Sequence, residues 1–450
     1  MEKSAQLNKN QLILNLAIPN IISNITIPLL GMADVAIAGH IGGDSAIGAI
    51  SIGSTLFNFI YWNCAFLRMG CSGLTAQAYG ANDWKECTNL LIRSLILSLT
   101  IAITLLLLKN PISHFAIDYI ECSESIRPLV KDYLLTRFWA IPASISIFSI
   151  HGWFIGMQDS RSPMWIAIFS NIVNIIFSIY FAIHLELGIK GVAWGTVTAQ
   201  YASLALSLLI FYAKYRKRCE HTTLKDSLSK SKIFRFFDVN IDIFIRTLII
   251  TIAYTLFTVN SSKFGETILA TNTLLMQLYT LFSYMSDGFA FAAESLSGRY
   301  IGEKRYDYLQ SIIKQLLVWA GGVATLFILC YIISWEPILR LFNPSIKVLE
   351  CAHQYIFWVI SIPLAGFLPF MIDGIMLGAT KTKVLRNSVA ISFIVYLILL
   401  YTLMPRIGNN AIWAAFLTFI LLRGILLIKP LIKLTKADIN NCTLKTSETN

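Results

Sequence analysis

An acidic residue inside the first hydrophobic segment is the clearest candidate for chemistry in this sequence. Residues 12–43 form an apolar stretch long enough to cross a bilayer, and Asp34 lies within it. A charge at the centre of a transmembrane helix costs roughly 2.5–3.5 kcal/mol on insertion scales, so such residues usually face a protein-lined or watery cavity. Pro19 and Pro28 interrupt the backbone hydrogen bonds of the same helix and permit bending. Asp34 is therefore either a titratable group on a moving helix or a structural residue at its outer end.

Two amides form a second polar feature within an apolar run. Asn171 and Asn174 are three residues apart, so they share one face of a helix. Because unpaired amides are costly in lipid, this face is expected to point toward protein. The two side chains either link neighbouring helices or line a cavity.

The second half of the chain has its own embedded acids. Asp373 is the most deeply placed in an apolar run, and Asp287 and Glu294 are seven residues apart, two helical turns along one face. Arg246 is either a partner for one of these acids or an interfacial anchor, and its position at the start of a hydrophobic segment favours the anchor. The embedded charges are otherwise expected to be mainly acidic, with Arg68 and Arg137 near helix ends.

Composition and charge place the chain in a membrane. Of its 450 residues, 56% are hydrophobic and 14% are charged, which is too apolar for a soluble globule of this size. Apolar runs without period-2 alternation indicate helices. The net charge of +11 is concentrated between helices and therefore does not indicate nucleic-acid binding. Lys and Arg predominate on the side of both termini, which predicts that both termini lie in the cytoplasm. The expected location is the plasma (inner) membrane of a bacterium.

Twelve hydrophobic helices are expected, in two sets of six. The predicted segments are 12–37, 48–69, 88–108, 130–152, 163–184, 191–213, 241–260, 268–293, 312–334, 352–376, 388–405 and 410–430. These divide the chain into an N-terminal lobe (1–213), a cytoplasmic linker (214–240), a C-terminal lobe (241–432) and a cytoplasmic tail (433–450).

The two halves repeat at an offset of 222 residues. This offset relates Gly80 to Gly302, the pair Gly152 and Gly156 to Gly374 and Gly378, and Gly43 to Gly265. An even number of helices per half makes the repeat parallel, with its pseudo-two-fold axis along the membrane normal. A substrate cavity between the halves is the expected consequence. The spaced glycines are predicted to allow close helix packing.

The sequence contains no recognisable enzyme motif. It has no glycine-rich phosphate loop, no HExxH and no Ser/His/Asp grouping, and its cysteines show no metal-ligand spacing, so neither catalysis nor a cofactor is predicted. Uphill transport would have to use an ion gradient, H⁺ or Na⁺. A buried carboxyl group is suited to this role, because neutralising it changes the conformation that the helix prefers.

Several motifs together resemble the multidrug and toxic compound extrusion (MATE) transporters, in particular their DinF-like branch. The resemblance covers roughly residues 10–430. The matching passages are DVAIAGHIG from Asp34, FLRMGCSGLTAQAYGA from Phe66, RFWAIPA and GWFIGMQDSRSPM between Arg137 and Met164, LATNTLL and SDGFAFAAESLSGRYIG between Leu269 and Gly302, and DGIMLGATKTKVLRN from Asp373.

The resemblance implies a V-shaped pair of six-helix lobes that acts as a monomer. It also implies export of small hydrophobic, often cationic compounds in exchange for H⁺ or Na⁺. Asp34 matches the acid on which coupling and drug binding are thought to depend, and Asn171 and Asn174 match asparagines of the fifth helix. Ser178 stands where many members carry a further acid, which favours H⁺ over Na⁺. Asp287, Glu294 and Asp373 match positions that belong either to a structural network or to the coupling site.

The alternative function is a lipid-linked oligosaccharide flippase, which shares the two-lobe architecture. A pyrophosphate substrate would need several cationic residues within the membrane spans. The mainly acidic embedded charge predicted above therefore favours the exporter.

Overall fold

A computed structural model describes residues 8–119, 124, 126–219, 227 and 229–447, without the side chains of residues 27, 42 and 436–447. Long helices dominate this part of the chain, and no strand occurs in it. In chain order they are α1 (Lys9–Ile41), α2 (Gly43–Gly80), α3 (Trp84–Leu107), α4 (Arg127–Gly156), α5 (Arg161–His184), α6 (Gly188–Tyr215), α7 (Lys230–Ser262), α8 (Glu266–Gly302), α9 (Tyr306–Arg340), α10 (Ile346–Gly378), α11 (Thr382–Ile407) and α12 (Asn409–Thr435). A shorter helix, Lys109–Tyr119, lies between α3 and α4.

The all-α membrane fold predicted from composition is confirmed. Within the described residues, eleven of these helices are long and apolar enough to cross a bilayer. The remaining one, α8, is 37 residues long but richer in polar side chains. Its polar character reflects burial against protein, because its last third is almost entirely buried. Each of the twelve predicted segments falls on one of these helices.

The helix ends differ from the predicted ones where polar residues continue a helix beyond its apolar part. Helix α7 begins at Lys230, well before the predicted residue 241, and so includes the last part of the predicted linker. Residues 220–226 and 228 of the predicted linker lie outside the described part of the chain. The last helix continues beyond its apolar span to Ser447.

The backbone itself repeats at the offset found in the sequence. Left-handed backbone conformations occur in pairs 222 residues apart, with φ of 56° and 94° at Gly43 and Gly265, 56° and 57° at Asn82 and Lys304, 63° and 54° at Gln158 and Thr380, and 53° and 57° at Glu186 and Gly408. Each pair lies at or beside a junction between corresponding helices. The two halves are thus built on one backbone plan.

The spaced glycines make equivalent packing contacts in the two halves of the chain. A Cβ atom on Gly152 would overlap the carbonyl oxygen of Arg68, and a Cβ atom on Gly374 would overlap that of Ala290. The two contacted carbonyls are again 222 residues apart. Glycine is needed at both sites because the helix backbones touch there, which confirms the predicted packing role.

Backbone contacts divide the chain into two compact units. The first unit contains Ile22–Tyr79 and Asp83–Phe236, and the second contains the residues up to Ile21, Gly80–Asn82 and those from Phe237 onward. The start of α1 thus belongs to the second unit, where Ile21 fills the space beside Gly288. The core of the second unit combines aliphatic and aromatic side chains, and its aromatic members include Phe257, Phe282, Tyr331, Tyr396, Trp413 and Phe416.

Candidate functional site

Asp34 faces the protein interior of the first unit. Its side chain lies on α1 and is only 3% exposed, whereas Met32, two residues earlier, is 67% exposed. Among the described residues, its Oδ1 atom accepts no hydrogen bond. A buried carboxylate oxygen without a donor is unfavourable, so this oxygen is available to a proton, a water molecule or a ligand.

The charged neighbour of Asp34 is Arg137 on α4. The two groups lie close enough to attract each other electrostatically. The Arg137 guanidinium donates to the Ser54 hydroxyl at 3.1 Å and to the Tyr133 hydroxyl. It also lies 5.0 Å from the centre of the Phe57 ring, an arrangement that stabilises a desolvated cation.

Local backbone chemistry helps to hold Arg137 in place. It is followed by a 3₁₀ turn at Phe138–Ala140, just before Pro142, which has no backbone N–H to donate. Arg137 is the last residue of the α-helical segment Arg127–Arg137, in agreement with its predicted position near a helix end, but the helical chain continues through the 3₁₀ turn to Gly156. Because α4 begins at Arg127, Arg137 lies inside the span, and its residue is only 8% exposed.

We call this group of side chains the Asp34 cluster. Its members are Asp34, Ser54, Phe57, Tyr61, Tyr133 and Arg137, which combine one acid, one base, hydroxyl groups and aromatic rings. Tyr61 packs against Phe57 at a ring-centre distance of 5.9 Å and is within electrostatic reach of Arg137. Such a cluster can hold a proton or a lipophilic cation at the carboxyl group while the rings contact apolar atoms.

The two asparagines of α5 both contact neighbouring helices of the first unit. The Asn171 amide donates to the Thr26 carbonyl of α1 at 2.9 Å, and the Asn174 amide donates to the Thr196 hydroxyl of α6 at 3.1 Å. Ser178, in the position where the resembling family often has an acid, donates weakly to the Val192 carbonyl at 3.4 Å. Asn171 thus joins α5 to the helix that carries Asp34.

A second charged cluster lies in the second unit around Asp373. Arg246 of α7 donates to the carboxylate oxygen Oδ2 of Asp373, and Arg423 of α12 forms an ion pair with the same oxygen at 3.3 Å. All three residues are at least nine-tenths buried. The expectation that Arg246 is an interfacial anchor was wrong, because α7 begins earlier than predicted and carries Arg246 into the span.

The prediction of mainly acidic embedded charge was also wrong. Arg137, Arg246 and Arg423 are all buried within membrane-spanning helices. Sequence reasoning missed Arg423 as a site residue, although an arginine within the apolar run ILLRGILLI was the available signal. The cation lies 5.8 Å from the centre of the Phe370 ring.

The remaining predicted acids lie on α8. Asp287 is partly exposed and lies within electrostatic reach of Arg423, whereas Glu294 is 1% exposed. The hydroxyls of Tyr254 and Tyr279 bind each other in the same region, also within reach of Arg423. Asp287 and Asp373 therefore both lie within electrostatic reach of Arg423.

A further buried network, absent from the sequence-based predictions, joins three helices of the second unit. The Asn272 amide nitrogen donates to Ser261 Oγ at 2.8 Å and to Asn409 Oδ1 at 2.7 Å. Its oxygen accepts from the Trp413 indole at 2.9 Å and from Asn409 at 3.2 Å. Because both amide atoms of Asn272 are bonded, the network is expected to rigidify this part of the unit.

Comparison with known proteins agrees with this fold. The MatE family model matches residues 19–180 and 243–402, so the chain belongs to the MATE family. It is similar to the DNA damage-inducible protein F of Escherichia coli (strain K12), with 33% identity over 91% of this chain and 89% of that protein. It is also similar to a probable multidrug resistance protein NorM of Thermotoga maritima, with 23% identity over 82% of this chain and 79% of that protein.

Solved structures share the fold at low sequence identity. A crystal structure of a MATE protein in a bent conformation superposes with a TM-score of 0.85 at 19% identity, covering 96% of this chain and 98% of that one. A MATE transporter from Vibrio cholerae, also in a bent form, superposes with a TM-score of 0.82 at 15% identity, covering 96% and 98%. The chain is thus an integral membrane protein of a multidrug transporter family.

Proposed function

We propose that this protein is a secondary active exporter that expels small hydrophobic, often cationic compounds in exchange for H⁺. Asp34 carries the coupling, and the supporting observation is its buried carboxyl group, which has Arg137 beside it and an oxygen without a donor among the described residues. A single carboxyl group can hold either a proton or a cationic substrate, so the two species compete there and exchange by alternating access.

Arg137 makes protonation of Asp34 favour release of a cationic substrate. While Asp34 is ionised, the pair is neutral and a lipophilic cation can share the carboxylate. Once Asp34 is protonated, only the arginine charge remains. Two like charges 4 Å apart repel by about 4 kcal/mol at an effective dielectric constant of 20. Protonation would therefore expel a cationic substrate.

Two features favour H⁺ over Na⁺ as the coupling ion. The Asp34 cluster contains one carboxylate, whereas a Na⁺ site built from several carboxylates would need further acids. The fifth-helix position that often carries a further acid in resembling proteins is here Ser178, whose hydroxyl contacts the backbone of α6. In this proposal Asn171 and Asn174 hold α5 against its neighbours.

The second unit contributes mainly structure in this proposal. Asp373 is held by two guanidiniums, and removing its charge would leave both of them buried without this partner. Asp373 and Asp287 are thus assigned to a charge-balancing network around Arg423. Glu294, in the most buried part of α8, is assigned to packing.

Buried arginines bring the flippase alternative back into consideration. A lipid-linked pyrophosphate would need uncompensated positive charge, yet Arg137 has Asp34 nearby, and Arg246 and Arg423 have Asp373 between them with Asp287 within electrostatic reach of Arg423. This compensation supports the exporter. We further propose a monomer in the inner membrane of a bacterium, with both termini in the cytoplasm.

The test uses the purified full-length protein in liposomes loaded with a fluorescent lipophilic cation. Dye movement is measured under an imposed H⁺ gradient, an imposed Na⁺ gradient, or neither. Movement driven by the H⁺ gradient alone supports the proposal, and movement driven by Na⁺ alone overturns the assignment of the ion. A parallel assay with a lipid-linked sugar tests the alternative, since sugar translocation without dye movement would overturn the exporter.

A further inference from the structure

A group of basic side chains lies at the C-terminal end of α6 in the first unit. The helix ends at Tyr215 and is followed by Arg216, Lys217 and Arg218. Lys214 has an acidic partner, Asp159, at 3.0 Å. For the other three cations, no ion pair with an acid is found among the described residues.

Aromatic rings hold two of these cations beside the helix end. The Arg216 guanidinium lies 4.6 Å from the centre of the Tyr212 ring and also binds the Tyr212 hydroxyl. The Arg218 guanidinium lies 5.8 Å from the centre of the Trp84 ring. These contacts hold the two guanidinium groups beside aromatic rings. Tyr and Trp are enriched at the membrane–water interface, so the cations are expected to lie there as well.

The exposed apolar face of α6 leads directly to these cations. Large side chains spaced by seven, seven and four residues, which places them on one side of the helix, are exposed, namely Trp194, Tyr201, Leu208 and Tyr212, at 42%, 44%, 48% and 57%. Arg216 is one helical turn beyond Tyr212. In a membrane-spanning helix such a face lies against acyl chains. A molecule with an anionic headgroup joined to acyl chains can contact both the apolar face and the cations.

We propose that Tyr212, Arg216, Lys217 and Arg218, with Trp84, form a binding site for the headgroup of an anionic phospholipid. Lys and Arg near a membrane surface attract anionic lipids, and basic sites between membrane helices bind their headgroups. A free phosphate ion would use only the cations, whereas a phospholipid would also cover the apolar face of α6. The proposal therefore commits to the lipid.

The test measures lipid binding by the purified full-length protein with native mass spectrometry. Dioleoyl-phosphatidylglycerol and dioleoyl-phosphatidylcholine are titrated separately, and the wild type is expected to retain the anionic lipid at least fivefold better. The triple variant R216Q/K217Q/R218Q is expected to lose this preference. The matched control is R340Q, because Arg340 is also exposed at the end of a membrane helix but has its own acid, Glu336, at 2.7 Å.

Two outcomes would overturn the proposal. One is an unchanged lipid preference in a folded triple variant, and the other is equal displacement of the lipid by inorganic phosphate. A photo-crosslinkable phosphatidylglycerol applied to the wild type gives an answer that does not depend on the variant folding. The crosslink is expected in the peptide containing Tyr212 and Arg216, and crosslinks found only elsewhere would also refute the site.

Discussion

Arg137 lies within electrostatic reach of Asp34, and both residues are more than nine-tenths buried in the first unit. The two residues belong to different helices and are far apart in the sequence. The Asp34 cluster therefore carries no net charge when Asp34 is ionised and a positive charge when it is protonated. The first two predictions follow from this difference.

Replacing Asp34 removes the group that would exchange a proton. We expect Asp34→Asn to abolish dye efflux driven by a pH gradient while leaving expression and folding intact, because asparagine has a similar shape but cannot be ionised. Efflux from proteoliposomes is the measurement. The control is Asp132→Asn, because Asp132 is exposed and pairs only with Lys190 at 3.2 Å among the described residues. Wild-type efflux from Asp34→Asn would contradict the proposed coupling.

Removing the charge of Arg137 should separate binding from transport. In Arg137→Gln the ionised Asp34 no longer has its cationic neighbour, so a lipophilic cation should bind about tenfold more tightly, which corresponds to about 1.4 kcal/mol. Release on protonation should become slower, and efflux should fall. Fluorescence polarisation of the dye measures its Kd. Arg137→Lys retains the positive charge and should therefore restore the wild-type Kd. Weaker binding to Arg137→Gln would argue against a cationic substrate at this site.

The charged cluster around Asp373 in the second unit should stabilise the folded protein. Asp373→Asn leaves Arg246 and Arg423 without their shared carboxylate, and breaking a buried ion pair in this way typically costs about 3–5 kcal/mol. We expect a clearly lower Tm in detergent. Asp118→Asn removes an exposed ion pair with Arg127, typically worth at most about 1 kcal/mol, and serves as the control. An unchanged Tm for Asp373→Asn would show that the network is not structural.

The repeated glycine contacts should be equally intolerant of a side chain. Gly152→Ala and Gly374→Ala each place a methyl group against the backbone of a neighbouring helix, and overpacking of this kind typically costs about 1–3 kcal/mol. Thermal unfolding should show a similar loss for both variants. Gly321→Ala in α9 is the control, because nothing lies within 4 Å of its added Cβ atom. A loss in only one half would contradict the common packing plan.

Asp159, in the connection between α4 and α5, should make stability depend on pH. Burial raises the pKa of Asp159, but hydrogen bonds from Ser162 and the Lys214 ammonium outweigh burial and hold the pKa below its usual range. A lowered folded-state pKa stabilises the protein above the unfolded value of about 3.9, and this stabilisation is lost as the pH falls through the folded-state pKa.

We therefore expect the Tm difference between the wild type and Asp159→Asn to be largest near neutral pH. It should shrink as the pH is lowered below about 4. Thermal unfolding across this range measures the difference. A constant difference at every pH would show that the charge of Asp159 does not contribute.

The sequence alone determined the membrane class, the helices and their repeat. Hydrophobic runs of bilayer length determine the helices because hydrophobicity is a local property, and the glycines spaced four residues apart, Gly152 with Gly156 and Gly374 with Gly378, mark places where backbones touch. The helix ends were less predictable, as α7 shows, since polar residues such as Lys230 extend a helix without adding to its apolar signal.

Only the tertiary structure decided which charges meet. The sequence identified Asp34 and Asp373 as embedded acids, but it did not pair Arg137 with Asp34, it favoured an interfacial anchor over an ion-pair partner for Arg246, and it missed Arg423. Ion pairing depends on helix rotation and on contacts between residues far apart in the chain. Hydrophobic periodicity determines that a residue is in the membrane, whereas packing determines which group of opposite charge it faces there.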